Sequence, residues 1–98
     1  MKTIYRYTLN TPGPCSICTY RNCEILDVGI DPRGMLSVWI MVDTKEPMDN
    51  QLQLYIAGTG WDFLPDNLHF PVHVGTVRQG EYMWHVFKED SDFEVETL

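Results

Sequence analysis

The sequence lacks the features that mark several common classes of protein. Of its 98 residues only seven are Lys or Arg, against 14 Asp or Glu, so it has no basic patch of the kind that binds nucleic acid. No apolar run approaches the roughly 20 residues that a membrane-spanning helix needs. Residues 1–6 lack the apolar stretch of a secretory signal peptide. We therefore expect a cytoplasmic protein that binds neither membranes nor nucleic acid directly.

The sequence also has no segment with the apolar periodicity of an ordinary helix, no internal repeat and no interdomain linker. Apolar residues instead alternate with period two in about seven short segments. These segments are residues 3–9, 15–20, 23–30, 35–43, 52–57, 70–74 and 82–88. The pattern predicts an all-β fold, a small antiparallel β-sandwich or partly open barrel of six to seven strands with at most one short helical turn.

Residues 35–43 show the clearest alternation, and the rest of the chain is arranged around them. One face of this segment carries four aliphatic side chains, those of Leu36, Val38, Ile40 and Val42. The other face carries Trp39 and two methionines among polar residues. We expect such a strand near the middle of a sheet, covered on both sides. Residues 31–34 (DPRG) predict a turn that joins it to the preceding strand as a hairpin.

Two breaks and a tail complete the outline of the domain. Residues 11–14 contain two prolines, which cannot donate to a β-ladder, and are expected to end the first strand. Residues 89–98 hold five of the 14 acidic residues and no basic one, which leaves nine acids and seven bases, a net charge of −2, in residues 1–88. We predict one β domain over residues 1–88 and an acidic C-terminal tail over residues 89–98. The tail is either a solvated terminus or an arm that docks a basic partner.

Three cysteines, Cys15, Cys18 and Cys23, are the candidate metal ligands. Thiolates at this spacing can bind zinc when a fourth ligand is present. However, the sequence has no second C-x-x-C motif, and on a strand Cys15 and Cys18 would point to opposite faces. We predict ordinary reduced thiols and neither metal nor cofactor, with a zinc centre and a redox pair as the alternatives.

Gly58, Thr59 and Gly60 are the candidate ligand-binding residues. Phosphate-binding loops are usually longer, contain a Lys and precede a helix, and none of these features is found here. A sharp turn at the end of a strand is therefore the favoured interpretation, and ligand binding is the alternative. The histidines His69, His73 and His85 accompany no recognisable nucleophile. We predict that the protein is not an enzyme.

The candidate partner-binding residues are Trp61, Asp62, Phe63 and Leu64, which follow directly in the sequence. Loops carry a large share of the binding residues of proteins, and aromatic side chains dominate the energetics of interfaces. The alternative is that this segment folds back and closes one end of the barrel. In the last segment, Tyr82 and Trp84 share a face with Val86.

Six blocks of the sequence, taken in order, resemble a family of small uncharacterised bacteriophage proteins. The blocks are residues 3–9, 25–28, 36–43, 55–60, 74–77 and 84–87. The resemblance extends to about Lys88 and implies a phage gene and a protein that acts in the host cytoplasm, with no reaction attached. This chain departs from the family after Gly60, where members usually have a His-Pro-like polar segment, and in its cysteines and acidic tail.

The function most consistent with these features is a phage-encoded, non-enzymatic binding protein that inhibits a host defence protein by occlusion. One alternative is an oligomeric protein that sequesters a small ligand such as a nucleotide. The other is a structural or assembly protein that forms a homo-oligomer through a sheet edge.

Overall fold

The structure, a computed structural model, describes residues 1–10, 12–61 and 71–89. Within these ranges the chain forms seven antiparallel strands in two sheets and no helix, so none of the described residues forms a helix that could span a membrane. The strands are β1 (Lys2–Thr8), β2 (Gly13–Thr19), β3 (Glu24–Ile30), β4 (Leu36–Asp43), β5 (Asn50–Gly58), β6 (Pro71–Gln79) and β7 (Tyr82–Glu89). The predicted all-β fold is confirmed, in the form of a small sandwich. Of the predicted acidic tail, residues 90–98 lie outside the described residues, and Glu89 ends β7. The predicted helical turn would fall in residues 61–69, of which only Trp61 is described.

The two sheets contain three and four strands. The three-stranded sheet has the order β1-β4-β3, and the four-stranded sheet has the order β2-β5-β7-β6. The predicted hairpin joins β3 to β4, and its turn is closed by a hydrogen bond of 2.8 Å from the amide of Gly34 to the carbonyl of Asp31. Gly34 has a φ of +86°, which favours glycine at this position.

Strand β4 forms the centre of the core, as the alternation of its sequence predicts. Val38 and Ile40 are completely buried and Val42 is 1% exposed. Burying each such side chain contributes about 1.5–3 kcal/mol to the free energy of folding. On the other face, Trp39 and Met41 stay half-buried because the described residues supply two layers and no third. The predicted position of β4 in the middle of its sheet is thus confirmed, whereas its second face is only partly covered.

One side of the sandwich is closed by the contact between β3 and β6. A Cβ atom on Gly75 would lie 2.5 Å from Cγ2 of Val28, so only glycine lets the two strands approach this closely. Both strands also carry a register shift, between Ile25 and Asp27 in β3 and between His73 and Gly75 in β6. We call this side the closed edge.

The opposite side, formed by β1 and β2, is more open. The hydroxyl groups of Tyr7 and Thr19 form a hydrogen bond of 3.0 Å across it, and the rings of Tyr5 and Tyr20 are 6.2 Å apart. A groove of about 440 Å³ runs along this side. It is lined by Tyr7, Thr8, Asn10, Pro14, Cys15, Ser16, Ile17 and Cys18. We call this side the open edge.

Candidate partner-binding surface

Three aromatic side chains, Trp61, Tyr82 and Trp84, meet at one end of the sandwich, and we call them the aromatic surface. Gly58 at the end of β5 pairs with Trp84 near the start of β7, which brings the turn after β5 next to the start of β7. The ring of Trp61 meets that of Trp84 edge-on, with centroids 5.5 Å apart. Tyr82 stacks on Trp84 at the same distance with an interplanar angle of 16°. Such ring pairs contribute beyond the area they bury.

The turn that follows β5 places Trp61 on this surface. The amide of Trp61 donates to the carbonyl of Gly58 at 3.1 Å, and Gly60 has a φ of +86°. A Cβ atom on Gly58 would lie 2.7 Å from Cε2 of Trp61, so the indole ring lies directly over the glycine. Gly58 and Gly60 therefore allow the turn and the position of the ring.

Thr59, between these glycines, is also held in place. Its amide donates to the carbonyl of Met83 at 3.3 Å. With the amide of Trp61 bonded to Gly58, two of the backbone donors that a phosphate-binding turn would offer are already used. Ligand binding by Gly58, Thr59 and Gly60 stays a prediction, and the geometry explains these residues as the support of Trp61.

A chain of hydrogen bonds holds the aromatic surface from the other side. The Nε1–H of Trp84 donates to Oε1 of Gln79 at 2.9 Å. The Nε2–H of Gln79 in turn donates to the carbonyl of Gly34 at 3.0 Å, in the turn between β3 and β4. The two sheets are thus tied together at this end, and Trp84 is fixed in one orientation.

A small cavity lies between the sheets beside Trp84. Its volume is about 90 Å³. It is lined by Leu9, Asn10, Pro12, Met35, Leu36, Ile56, Gln79 and Trp84. Sites for drug-sized ligands and cofactors occupy about 300–1,000 Å³. The cavity is therefore large enough for one small apolar side chain and too small to enclose a nucleotide.

The aromatic surface is accessible although it is ordered by these contacts. Trp61 is 48% exposed and Tyr82 is 62% exposed, while Trp84 between them is half-buried. Large aromatic side chains held in one arrangement lose little conformational entropy on binding, which is why Trp and Tyr are enriched among the residues that dominate interfaces. The arrangement is suited to docking another macromolecule.

Part of this surface could be predicted from the sequence. Trp61 was among the predicted partner-binding residues, whereas the others, Asp62, Phe63 and Leu64, lie outside the described residues. Tyr82 and Trp84 were placed on one face but not connected with Trp61. The alternation within β7 is enough to place Tyr82 and Trp84 on one face. The contact of Trp84 with Trp61 depends on the pairing of β5 with β7, which joins segments more than 20 residues apart and leaves no local pattern in the sequence.

A row of polar side chains crosses the outer face of the four-stranded sheet. Oγ1 of Thr59 lies 2.6 Å from Nε2 of His85, whose Nδ1 lies 3.1 Å from Oγ1 of Thr76. The same hydroxyl lies 2.9 Å from Nε2 of His73. A hydroxyl beside an imidazole is one element of nucleophilic catalysis, but catalytic imidazoles are usually oriented by a carboxylate that stabilises their charged form. Here the neutral hydroxyl of Thr76 stands where a carboxylate would be. The row is therefore better explained as hydrogen bonds that hold the turn carrying Trp61 in position.

The three cysteines lie in different surroundings. Cys15 packs against the core and burial raises the pKa of its thiol, whereas Cys18 on the same strand is exposed. Cys23 accepts a hydrogen bond of 3.6 Å from the side-chain amide of Asn50. Among the described residues, no three Cys, His, Asp or Glu side chains are grouped so that they could hold a metal ion.

Asp31 is the one acidic residue that is buried among those that the structure describes, and its role is structural. The backbone amide of Met35 donates to its carboxylate at 2.9 Å, as does that of Arg33. The guanidinium groups of Arg33 and Arg6 lie 3.3 and 3.6 Å from it. These hydrogen bonds, that of Met35 first, hold the pKa of Asp31 below its ordinary value. Asp31 thus caps the predicted turn and, through Arg6, also connects β1 to it.

Comparison with known proteins assigns the family. The chain belongs to the family described as a domain of unknown function, DUF7352, whose model matches residues 1–97. This confirms the resemblance to an uncharacterised family, and the description names neither a bacteriophage nor an activity. No curated protein and no solved structure matches the chain.

Proposed function

We propose that this protein is a small non-enzymatic binding protein that docks a partner protein through the aromatic surface. The observation that supports this most strongly is the exposure of Trp61 and Tyr82, at 48% and 62%, on either side of a fixed Trp84. Exposed aromatic groups cost a folded protein solubility, so a cluster of them at one site points to a partner that covers it. The cavity beside Trp84 would accept one apolar side chain of that partner.

We also propose, from the resemblance to phage proteins, that this protein is encoded by a bacteriophage. A phage-encoded protein acting in the host cytoplasm would use this surface to occlude a host protein, for example a defence effector. Occlusion needs only a stable fold and a complementary surface, which is consistent with the structural roles of Asp31 and of the hydrogen-bonded histidines.

The alternative of nucleotide sequestration is less well supported. The cavity of about 90 Å³ beside Trp84 is several times too small for a nucleotide, and the lining of the larger groove of about 440 Å³ at the open edge does not include Gly58, Thr59 or Gly60. A nucleotide would also need free backbone donors near Gly58, where the amides of Thr59 and Trp61 are already bonded. The protein-docking proposal is therefore the one we favour.

The test compares the wild-type protein with a Trp61→Ala, Tyr82→Ala double variant as bait in a lysate of bacterial host cells. A partner retained stoichiometrically by the wild type is then purified, and its affinity is measured by calorimetry. We expect the double variant to bind at least about 30-fold more weakly, equivalent to about 2 kcal/mol, because exposed aromatic anchors dominate such interfaces.

Met48 provides the matched control. It is a large apolar residue, 56% exposed, in the loop between β4 and β5 at the opposite end of the sandwich. Met48→Ala should bind like the wild type. If the wild type retains no stoichiometric partner with or without residues 90–98, or if the double variant binds as tightly as the wild type, the aromatic surface is not the docking site.

A further inference from the structure

The described strands include four outer ones, and three of these carry a bulge or a proline that hinders pairing with a further strand. β3 contains the register shift between Ile25 and Asp27, and β6 contains the one between His73 and Gly75. β2 contains Pro14, which has no amide to donate. Prolines, bulges and charged side chains are the usual means by which proteins protect the edges of their sheets.

Strand β1 has neither a proline nor a bulge, and its edge is protected by two cations, Lys2 and Arg6. It pairs with β4 over seven residues without a shift of register. Ile4 and Tyr5 in the middle of the strand are 54% and 40% exposed. The edge of β1 is thus the one on this sandwich best suited to accept another strand.

The backbone groups that face this edge follow from the hydrogen bonds to β4. The amide of Leu9 donates to the carbonyl of Leu36 at 2.8 Å, and that of Thr44 donates to the carbonyl of Met1 at 3.0 Å. Both pairs continue the register of β1 with β4. Because bonded and non-bonded pairs alternate along an antiparallel ladder, the odd-numbered residues of β1 bond to β4. The amides and carbonyls that point to the free edge belong to Lys2, Ile4, Arg6 and Thr8.

Charge selects one register for pairing β1 with the same strand of a second copy. Hydrogen bonding requires even-numbered residues to stand opposite one another, which allows three central registers. With Ile4 opposite itself, Lys2 faces Arg6, and with Arg6 opposite itself, two guanidinium groups face each other. Like charges directly opposite are destabilising, and the ion pair of Arg6 with Asp31, 3.6 Å apart, offsets only part of this repulsion. The third register has Tyr5 opposite itself, Ile4 opposite Arg6 and Lys2 opposite Thr8, and no two cations face each other.

We infer that the protein forms a two-fold symmetric dimer in which β1 pairs antiparallel with β1 of a second copy, with Tyr5 at the two-fold axis. The three-stranded sheet becomes a continuous six-stranded sheet across the dimer. The interface gains about eight backbone hydrogen bonds from the groups that face the free edge. The two Tyr5 side chains share the face of Ile40, their neighbour on β4, and bury each other across the axis.

The first test is the oligomeric state, measured by sedimentation at increasing protein concentration. We expect the wild type to be dimeric at high concentration and Ile4→Pro to be monomeric and folded, because proline removes an amide that faces the edge and none that bonds to β4. Trp61→Ala should remain dimeric, since the aromatic surface lies at the end of the sandwich. A strict monomer, a dimer unaffected by Ile4→Pro or a dimer lost in Trp61→Ala would each overturn the inference.

The second test fixes the register by cross-linking. Cysteine replaces Tyr5 in a background with Cys15→Ser, Cys18→Ser and Cys23→Ser. Residues opposite each other in a non-bonded pair are close enough for a disulfide. We expect Tyr5→Cys to form disulfide-linked dimers at least about ten-fold faster than Leu26→Cys. Leu26 is a matched control because it is 44% exposed on β3, at the closed edge. Equal rates for the two variants in folded protein would contradict the register.

Discussion

The closed edge and the open edge of this sandwich differ in how closely their strands pack and in how regularly they pair. At the closed edge the strands approach so closely that Gly75 has no room for a Cβ atom beside Val28, and both strands carry irregular pairing. At the open edge β1 pairs regularly with β4, and a single hydrogen bond, between Tyr7 and Thr19, joins the side chains of β1 and β2. Close packing thus stabilises one side of the molecule, while the other leaves a regular strand edge in solvent.

In this small domain, the side whose close packing stabilises the fold is not the side whose strand edge can pair with another strand. Irregular strands that pack on each other cannot serve as templates for another strand, whereas a regular strand beside a groove can. The aromatic surface lies at the end of the sandwich, between these two sides, and depends on the closed packing through Gln79 and Gly34.

The closed edge should tolerate no side chain at position 75. We expect Gly75→Ala to lower the free energy of unfolding by about 1–3 kcal/mol, the usual cost of forcing extra volume into a packed core. Urea denaturation measures this. Gly29→Ala is the matched control, because a Cβ atom there would meet Trp39 at an ordinary 3.5 Å.

A second substitution shows whether the contact with Val28 is the cause. In the Gly75→Ala, Val28→Ala double variant, the atom that the new methyl group meets is removed. The combined loss should therefore be smaller than the sum of the two single losses. Strictly additive losses would mean that β3 and β6 do not approach as closely as described.

The open edge should depend on the hydrogen bond between Tyr7 and Thr19. Tyr7→Phe leaves the completely buried Thr19 without this partner, so we expect a loss of about 1–2 kcal/mol in the free energy of unfolding. Adding Thr19→Val removes both polar groups and should recover part of that loss. A Tyr7→Phe variant as stable as the wild type would show that the hydroxyl pair does not hold the open edge together.

Acid should weaken the attachment of β1 through Asp31. The pKa of Asp31 is lowered in the folded protein, chiefly by the hydrogen bond from Met35, so its ionised form stabilises the fold above the ordinary pKa of about 4. This contribution is lost as the pH falls through the lowered pKa. Denaturation at a series of pH values should show a steeper fall in stability below about pH 4 for the wild type than for Asp31→Asn. Equal slopes would contradict the role of this carboxylate, and exposed Glu24→Gln serves as the control.

Chemical modification of the cysteine thiols probes the open edge without any substitution. The thiolate is the reactive form, and burial raises the pKa of Cys15, which lines the groove. Exposed Cys18 should therefore react with iodoacetamide several-fold faster than Cys15, as measured by mass spectrometry. Faster reaction of Cys15 would mean that the groove opens further in solution.

Much of the fold could be predicted because it follows from local patterns. The alternation in residues 35–43 identified β4, and the DPRG turn identified its hairpin with β3. The predicted start of β2 was wrong: residues 11–14 were expected to end the first strand and the next strand to begin at Cys15, yet β2 begins at Gly13 and includes Pro14. Proline is accepted there because β2 is an outer strand with one unpaired side.

The site was harder to predict because it depends on pairing between distant segments. Trp61 stood out as an aromatic residue in a loop, but its contact with Trp84 requires β5 to lie beside β7. The sheet edges could not be distinguished either, because bulges such as the one at Gly75 become visible only once the register is known. Single-sequence periodicity defines strands and leaves their order and register open.

The measurement that tests the role of the open edge most directly is amide hydrogen exchange followed by NMR at low and high protein concentration. We expect the amides of Ile4 and Arg6, which face the free edge of β1, to become protected as the concentration rises. The amides of Tyr5 and Tyr7, which bond to β4, should be protected at both concentrations. Rapid exchange of Ile4 and Arg6 at every concentration would contradict the pairing of β1 with a second copy.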